Sequence, residues 1–274
     1  MFGGLCDTSV STDREVHRGP FDEKVGMSTI ALIPARMGSS RFPGKPMAPI
    51  LGKPMIEHVF ERVSGHSLID EVVVATCDAE IFDHISAIGG RAVMTSDRHE
   101  RASDRCAEAL LAVEAELGHQ FEIALMVQGD EPMITHQMLT EALEPMAADP
   151  TIKVLNLLGR IDTEEEFVDP NSIKVVVDRE LRAVYMSRRP IPTRAVPGQD
   201  DIFKQVCIIP FRRDFLIEYT ELEPTPLEIH ESIDMLRVIE HGMHVHMAPT
   251  VGFSQAVDTP ADLEKVEELM REGR

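Results

Sequence analysis

Residues 30–55 read IALIPARMGSSRFPGKPMAPILGKPM, and this stretch decides the fold. Ile30 to Ile33 are apolar without interruption, as expected of a parallel strand covered on both faces, and Pro34 ends the run. The chain then enters a loop in which Gly38, Ser39, Ser40 and Gly44 let the backbone approach a ligand and aim N–H groups at it. Arg36, Arg41 and Lys45 supply cations in the same loop. Strand, Gly/Ser loop and cations together point to a polyphosphate site, although the GxxxxGK[ST] spacing is absent. The alternative is a solvated basic loop. Composition bears on that choice: the 274 residues carry 47 Asp and Glu against 27 Lys and Arg, a formal charge of −20. In so acidic a chain an anionic substrate needs a local positive site, and nucleic acid is excluded as a partner.

Working outward, apolar β-rich runs alternate with amphipathic helical segments. The pattern predicts helices over 54–63, 79–88 and 104–117, and strands over 71–76, 93–94 and 123–127. This order predicts an α/β fold with an open, mostly parallel, Rossmann-like sheet and ligands over the carboxyl ends of its strands. A hairpin over 173–186 turns at 178–182, a strand is expected over 203–211 with Pro210 marking an edge, and one helix over 226–240. That helix would place Glu228 and Glu231 on one solvated face.

Two acidic segments sit where a metal would be useful. In QGDEP, Gln128 to Pro132, Gly129 permits a tight strand exit, Asp130 is a candidate Mg²⁺ ligand, and Pro132 is placed to start a helix. The competing reading is acids that complement a helix dipole. In AVDTPADL, Thr259 caps a helix beginning at Pro260, which leaves Asp258 as a second ligand beside Asp130. Ser187, Arg188 and Arg189 offer bidentate recognition of an acidic acceptor, or merely solvent-facing charge. His241, His244 and His246 suggest a metal site but lack a further ligand at suitable spacing, which favours packing or surface placement.

No apolar run reaches membrane-spanning length, and residues 1–27 lack a signal-peptide core, so they read as a flexible N-terminal extension with Met27 a candidate natural start. Cys6, Cys77, Cys106 and Cys207 are scattered without a CxxC pair, which favours a reduced, cytoplasmic protein. Residues 28–274 are read as one catalytic domain with an inserted lobe at about 150–215.

From about Ser28 to Glu268 the chain resembles the cytidylyltransferases that activate sugar acids, most closely the 3-deoxy-manno-octulosonate (KDO) cytidylyltransferases. IPARMGSSRFPGKP, MTSDRHERASDR, VQGDEPMI, NSIKVVVD, YMSRRPIP, PTPLEIHESIDMLRVIEHG and AVDTPADLEKV occur in the family's order. The resemblance implies a nucleotide-diphospho-sugar-transferase-like fold and a homodimer formed through the smaller lobe. It also implies Mg²⁺-dependent transfer of CMP from CTP to an acidic acceptor with release of pyrophosphate. It assigns Arg36 and Lys45 to the triphosphate, Ala35, Gly38 and Ser39 to nucleotide contact, Arg105 to cytosine, Asp130 and Asp258 to Mg²⁺, and Arg41, Gln128, Arg188 and Glu231 to the acceptor.

Two departures stand out. Gln205 and Ile209 occupy the places of the family's sugar-contacting His and Tyr, and Arg101, Ala102 and Ser103 those of its Ser-Gly-Thr. A buried sugar hydroxyl facing Ile209 would lose a partner, a cost of about 1–3 kcal/mol. The expectation is therefore a smaller acid, such as a phosphonate or another carboxylate, held by Arg41 and Arg188 with Gln205 nearby; KDO itself is the alternative. Outside this class stand a GT-A glycosyltransferase and a non-catalytic nucleotide-binding protein.

Overall fold

The computed structural model describes residues 27–39 and 41–273; residues 1–26 of the extension read over 1–27, with Cys6, and Ser40 of the Gly/Ser loop lie outside them. Alternate residues of strand β1 (Thr29–Ala35) are buried on opposite sides. Ile30 and Leu32 join one hydrophobic cluster and Ala31 and Ile33 another, as a strand sandwiched between helical layers requires.

Beyond β1 come a 3₁₀ turn at Lys45–Met47, the short strands β2 (Pro49–Ile50) and β3 (Lys53–Pro54), and helix α1 (Met55–Val63). Then follow β4 (Glu71–Thr76), α2 (Ala79–Ala87), β5 (Arg91–Met94), α3 (Ala102–Leu117), β6 (Ile123–Val127) and α4 (His136–Ala148). The next elements are β7 (Leu155–Arg160), α5 (Glu164–Val168), β8 (Lys174–Val177), β9 (Ala183–Ser187), β10 (Phe203–Val206), β11 (Ile208–Arg212) and α6 (Arg213–Glu221). The chain closes with α7 (Pro226–Glu231), α8 (Met235–Glu240), β12 (His246–Pro249) and α9 (Pro260–Arg271).

The main sheet runs β11-β6-β1-β4-β5, parallel except for the edge strand β11. Residues of α1, α2 and α4 share a hydrophobic cluster with one face, and those of α3 and α6 with the other. This is the α/β fold with a mostly parallel sheet that the strand–helix alternation predicts. A second sheet runs β12-β7-β10-β8-β9, antiparallel except where β12 meets β7.

Three local expectations change. The run 203–211 is not one strand: β10 pairs with β7 and β8 in the second sheet, and after Cys207 the chain crosses to pair β11 with β6 in the first. The segment 226–240 is two helices, broken where Ser232 adopts φ 54°. Pro132 does not start a helix, since α4 begins at His136 and is capped by the Thr135 hydroxyl accepting from Met138 N–H.

Candidate active site

The carboxyl ends of β1 and β6 open on one cavity of about 380 Å³. Gly129 is required there: a Cβ would stand 2.9 Å from the Pro34 carbonyl oxygen and 3.2 Å from Ile56 Cδ1. The two strand exits therefore run in close contact, and Asp130 emerges beside the β1 loop. That loop folds around the Met37 carbonyl, which accepts from Ser39 and Gly44 N–H, both at 3.0 Å. Gly44 takes φ 75° to start the 3₁₀ turn, and this turn delivers Lys45.

The cavity is lined by Ala35, Arg36, Gly38, Ser39, Arg41, Lys45, Arg105, Gln128 and Asp130. Arg105, at the start of α3, is almost fully buried. Its Nη1 donates to Thr95 Oγ1 at 2.5 Å, while Nη2 is buried with no partner. A buried, unsatisfied guanidinium donor on a cavity wall calls for a ligand oxygen or nitrogen. His99, which no sequence reading assigned to the site, lines the same wall, as does Arg101 of the segment that departs from the family's Ser-Gly-Thr. Arg101 pairs with Asp234 at 3.1 Å.

Lys45 ties the strand exits to the start of α9. Its Nζ lies 2.7 Å from Asp130 Oδ2 and 3.8 Å from Asp258 Oδ1, and donates to the Val257 carbonyl at 2.8 Å. Arg41 Nη2 stands 2.9 Å from the same Asp258 oxygen. Burial, then the neighbouring Asp130, pushes the Asp258 carboxyl up, against the lowering effect of Lys45 and Arg41. Capping of α9 falls to Thr259 and Asp262, which exchange bonds in a capping box, so Asp258 is left to the site.

Asp258 also lines a second cavity, of about 470 Å³, with Glu131, Asn171, Lys204, Gln205 and Ser254. Arg41 bonds to Asn171 as well as to Asp258, so the Arg41–Asp258 pair stands where the two cavities meet. Glu131 is buried and accepts from the Ser254 hydroxyl. Burial and the adjacent Asp130 push its carboxyl up to about 7, against that hydrogen bond. Gln205 Nε2 donates to Asn156 Oδ1 at 2.5 Å, which keeps a polar, positioned group on this wall. Sequence reasoning missed Lys204, whose ammonium contacts Glu166 and the Ser254 carbonyl; nothing separates it by type from other surface lysines.

Several predicted residues stand elsewhere. Ile209 is 3% exposed within the first core cluster and lines neither cavity, so its apolar side chain is explained by packing on β11 rather than by an altered acceptor. Arg188 is spent on main-chain carbonyls, donating to Glu231 O at 2.8 Å, Pro170 O at 2.9 Å and Ser232 O at 3.2 Å. Glu231 accepts from Tyr185 Oη, Ser187 Oγ and Arg188 N. Together they pin the end of β9 to the break between α7 and α8. Glu228 is not solvated either, being fully buried against Arg237. His241 bonds to the Glu223 carbonyl, and the His244 and His246 rings meet edge-on at 6.5 Å. Among the described residues no group of three or more His, Cys, Asp or Glu is placed to hold a metal ion.

A sequence profile described as Cytidylyltransferase matches residues 30–245. The chain belongs to the cytidylyltransferase family. Within it, the 3-deoxy-manno-octulosonate cytidylyltransferase of Geobacter metallireducens is 42% identical over 89% of this chain and 98% of its own length. That of Geobacter sulfurreducens is 42% identical over 89% of this chain and 100% of its own. Among solved structures, a CMP:2-keto-3-deoxy-manno-octonic acid synthetase complexed with CTP superposes with a TM-score of 0.81 at 39% identity, covering 90% of this chain and 100% of that one. A glucose-1-phosphate thymidylyltransferase from Bacillus anthracis, at 14% identity and TM-score 0.64, shares the fold. This cytidylyltransferase is thus of the KDO type and is a nucleotidyltransferase, which sets aside the glycosyltransferase and non-catalytic readings. The expected departure from KDO as acceptor has no support in these relatives.

Proposed function

We propose that the enzyme transfers CMP from CTP to KDO and releases pyrophosphate. The observation that carries this is the pair of cavities meeting at Arg41 and Asp258, one lined by the cations Arg36, Arg41, Lys45 and Arg105 and the other by Gln205 and Asn171, in a chain about 40% identical to KDO cytidylyltransferases over nearly its whole length. In this reading the first cavity holds CTP. Arg36 and Lys45 face the triphosphate, the loop at Gly38 and Ser39 passes beside it, and the unpartnered Nη2 of Arg105 meets the cytosine. The acceptor hydroxyl oxygen attacks the α-phosphorus in line from the second cavity, the bond to the pyrophosphate oxygen breaks, and the hydroxyl proton is released to water. Catalysis consists of positioning and stabilisation of the charge that moves onto pyrophosphate.

The donor set at Asp130 and Asp258 fits Mg²⁺: two carboxylates face one ammonium, and hard oxygen ligands with substrate phosphates are how Mg²⁺ is usually held. Bound there, Mg²⁺ would supply charge stabilisation at the phosphate. Gln128, on the wall of the first cavity next to Asp130, and Arg41 at the junction are the acceptor-facing groups. Arg188 and Glu231 reach neither cavity and act through the α7–α8 break, where Ser232 borders the first cavity.

We also propose that residues 28–274 act as one catalytic domain, that the second sheet forms its smaller lobe, and that this lobe pairs in a homodimer. Strand β9 leaves the apolar Val184 54% exposed, which supports the last point. Among the described residues no helix is long and apolar enough to cross a membrane. The described cysteines Cys77, Cys106 and Cys207 are free, which supports a reducing, cytoplasmic setting.

The test is a product-mass screen of CTP with KDO, small carboxylates and phosphonates. A CMP–KDO product with stoichiometric pyrophosphate is expected; CMP adducts of the small acids without turnover of KDO would overturn the assignment of acceptor.

A further inference from the structure

We propose that Lys45 is a placeholder cation, holding the position of the divalent ion between Asp130 and Asp258 until a bound triphosphate draws its ammonium away. Nucleotide then binds before metal. The inference rests on the reading of these two carboxylates as metal-binding.

The geometry leaves Lys45 little freedom to serve phosphate and carboxylates together. An ammonium has three hydrogens and accepts nothing. One bond goes to Asp130 Oδ2 at 2.7 Å and one to the Val257 carbonyl at 2.8 Å, with Asp258 Oδ1 at 3.8 Å, and the side chain is only 12% exposed. Val257 N–H in turn donates to the Asp130 carbonyl at 2.9 Å, so the segments carrying the two carboxylates are already joined through their main chains. Lys45 can leave without dismantling that frame, because its side chain swings from a turn fixed by the Gly44 and Phe42 carbonyls accepting Met47 and Lys45 N–H.

Charge points the same way. Asp130 and Asp258 contribute two negative charges, and Lys45 and Arg41, both within salt-bridge distance, contribute two positive ones. The cluster is neutral while Lys45 is in place, so an incoming divalent ion gains little attraction and meets an ammonium in its way. A triphosphate in the first cavity competes for that ammonium from the side on which Lys45 already lines the wall. Once it moves, the carboxylates regain a net negative charge and the nucleotide adds oxygen ligands, so the two ligands bind cooperatively.

The test uses Mn²⁺, read by the electron paramagnetic resonance signal of the free ion, with and without a CTP analogue carrying a methylene between its α- and β-phosphorus, and with the Mn²⁺ affinity of the free analogue subtracted. Wild-type protein should bind Mn²⁺ weakly alone and about tenfold or more tightly with the analogue. Lys45→Met and Lys45→Gln should each bind Mn²⁺ about tenfold more tightly than wild type without nucleotide, and lose most of the gain from the analogue. Arg41→Met removes the same charge from beside Asp258 without freeing Asp130, and should change Mn²⁺ affinity less. Equal tightening by Arg41→Met would reduce the effect to general electrostatics and overturn the proposal. So would Lys45 variants that bind Mn²⁺ no better than wild type while the analogue still promotes uptake. Failure of wild-type protein to take up Mn²⁺ even with the analogue, beyond the analogue's own share, would instead remove the metal assignment and the proposal with it.

Discussion

Glu228 and Arg237 meet inside the protein through two hydrogen bonds of 2.7 Å, with the carboxylate fully buried. The pair joins α7 to α8 across Ser232, whose bend forms part of the first cavity's wall. Arg237 also lies over the Tyr219 ring, 4.8 Å from its centroid. Removing one partner leaves the other charge buried, so Arg237→Met should cost about 3–5 kcal/mol in urea denaturation. Glu228→Leu combined with Arg237→Met should cost clearly less than the two single losses summed. Burial alone would raise the Glu228 carboxyl, but the bonds and charge of Arg237 outweigh it and hold it below its ordinary value. The stabilisation is therefore present above the ordinary carboxylate range and lost as the pH falls through the lower, folded value.

Glu131 has the opposite sign. With its carboxyl raised to about 7, it stays protonated in the fold at pH values where the unfolded chain has released the proton. Stability should fall as the pH rises from about 4.5 to about 7 and level off above, a loss of ~3 kcal/mol. Glu131→Gln should flatten that slope and unfold at higher urea than wild type near pH 8. An unchanged slope would show that Glu131 is ionised in the native state.

The unpartnered donor of Arg105 should be felt in nucleotide affinity. Arg105→Met should raise KM for CTP about 10- to 100-fold, the worth of a hydrogen bond from a charged group, with a smaller effect on kcat. A kcat loss at constant KM would place Arg105 outside nucleotide binding.

Asp130→Asn and Asp258→Asn should each lower kcat on the order of 100-fold with the circular dichroism spectrum intact, as expected for loss of a metal-holding group. Chelation should abolish wild-type pyrophosphate release, and added Mg²⁺ should restore it. Near-normal turnover in both variants would remove the carboxylates from the reaction.

Gln205→Ala removes the donor to Asn156 and should raise KM for KDO about 10-fold, while KM for CTP stays constant. Gln205→His restores the family's residue and should keep kcat/KM for KDO within about threefold of wild type. Steady-state kinetics with each substrate varied in turn would separate these outcomes.

The main sheet was legible because Ile30 to Ile33 and Ile123 to Val127 are unbroken apolar runs, which a strand covered on both faces needs and few other structures do. The cavity residues of the first loop followed from the strand exit itself. The second sheet was harder to read. It draws β12 from far along the chain, and FKQV of β10 is only partly buried. The apolar run from Val206 to Ile209 passes straight through Cys207, so nothing local marks the change of sheet. The break at Ser232 has neither Gly nor Pro to announce it. Arg188 looked free because its three partners are carbonyl oxygens, which every residue possesses and no sequence displays. Ile209 misled for a related reason: matching a sugar-contacting position in a family says nothing about which way that position faces in this chain, and here it faces the core.

The crossing at Cys207 gives the two cavities a common main-chain floor. Gln205 borders one of them, and two residues later the Cys207 carbonyl accepts from Gln128 N–H of the other at 3.2 Å. The two cavity walls are thus indexed to the same few peptide units, whose spacing is fixed by covalent geometry and strand pairing. Side chains along this track, that of Gln205 among them, can be exchanged without moving the main chain that carries both walls. Whatever side chains the two walls carry, the distance between them is set by the backbone beneath.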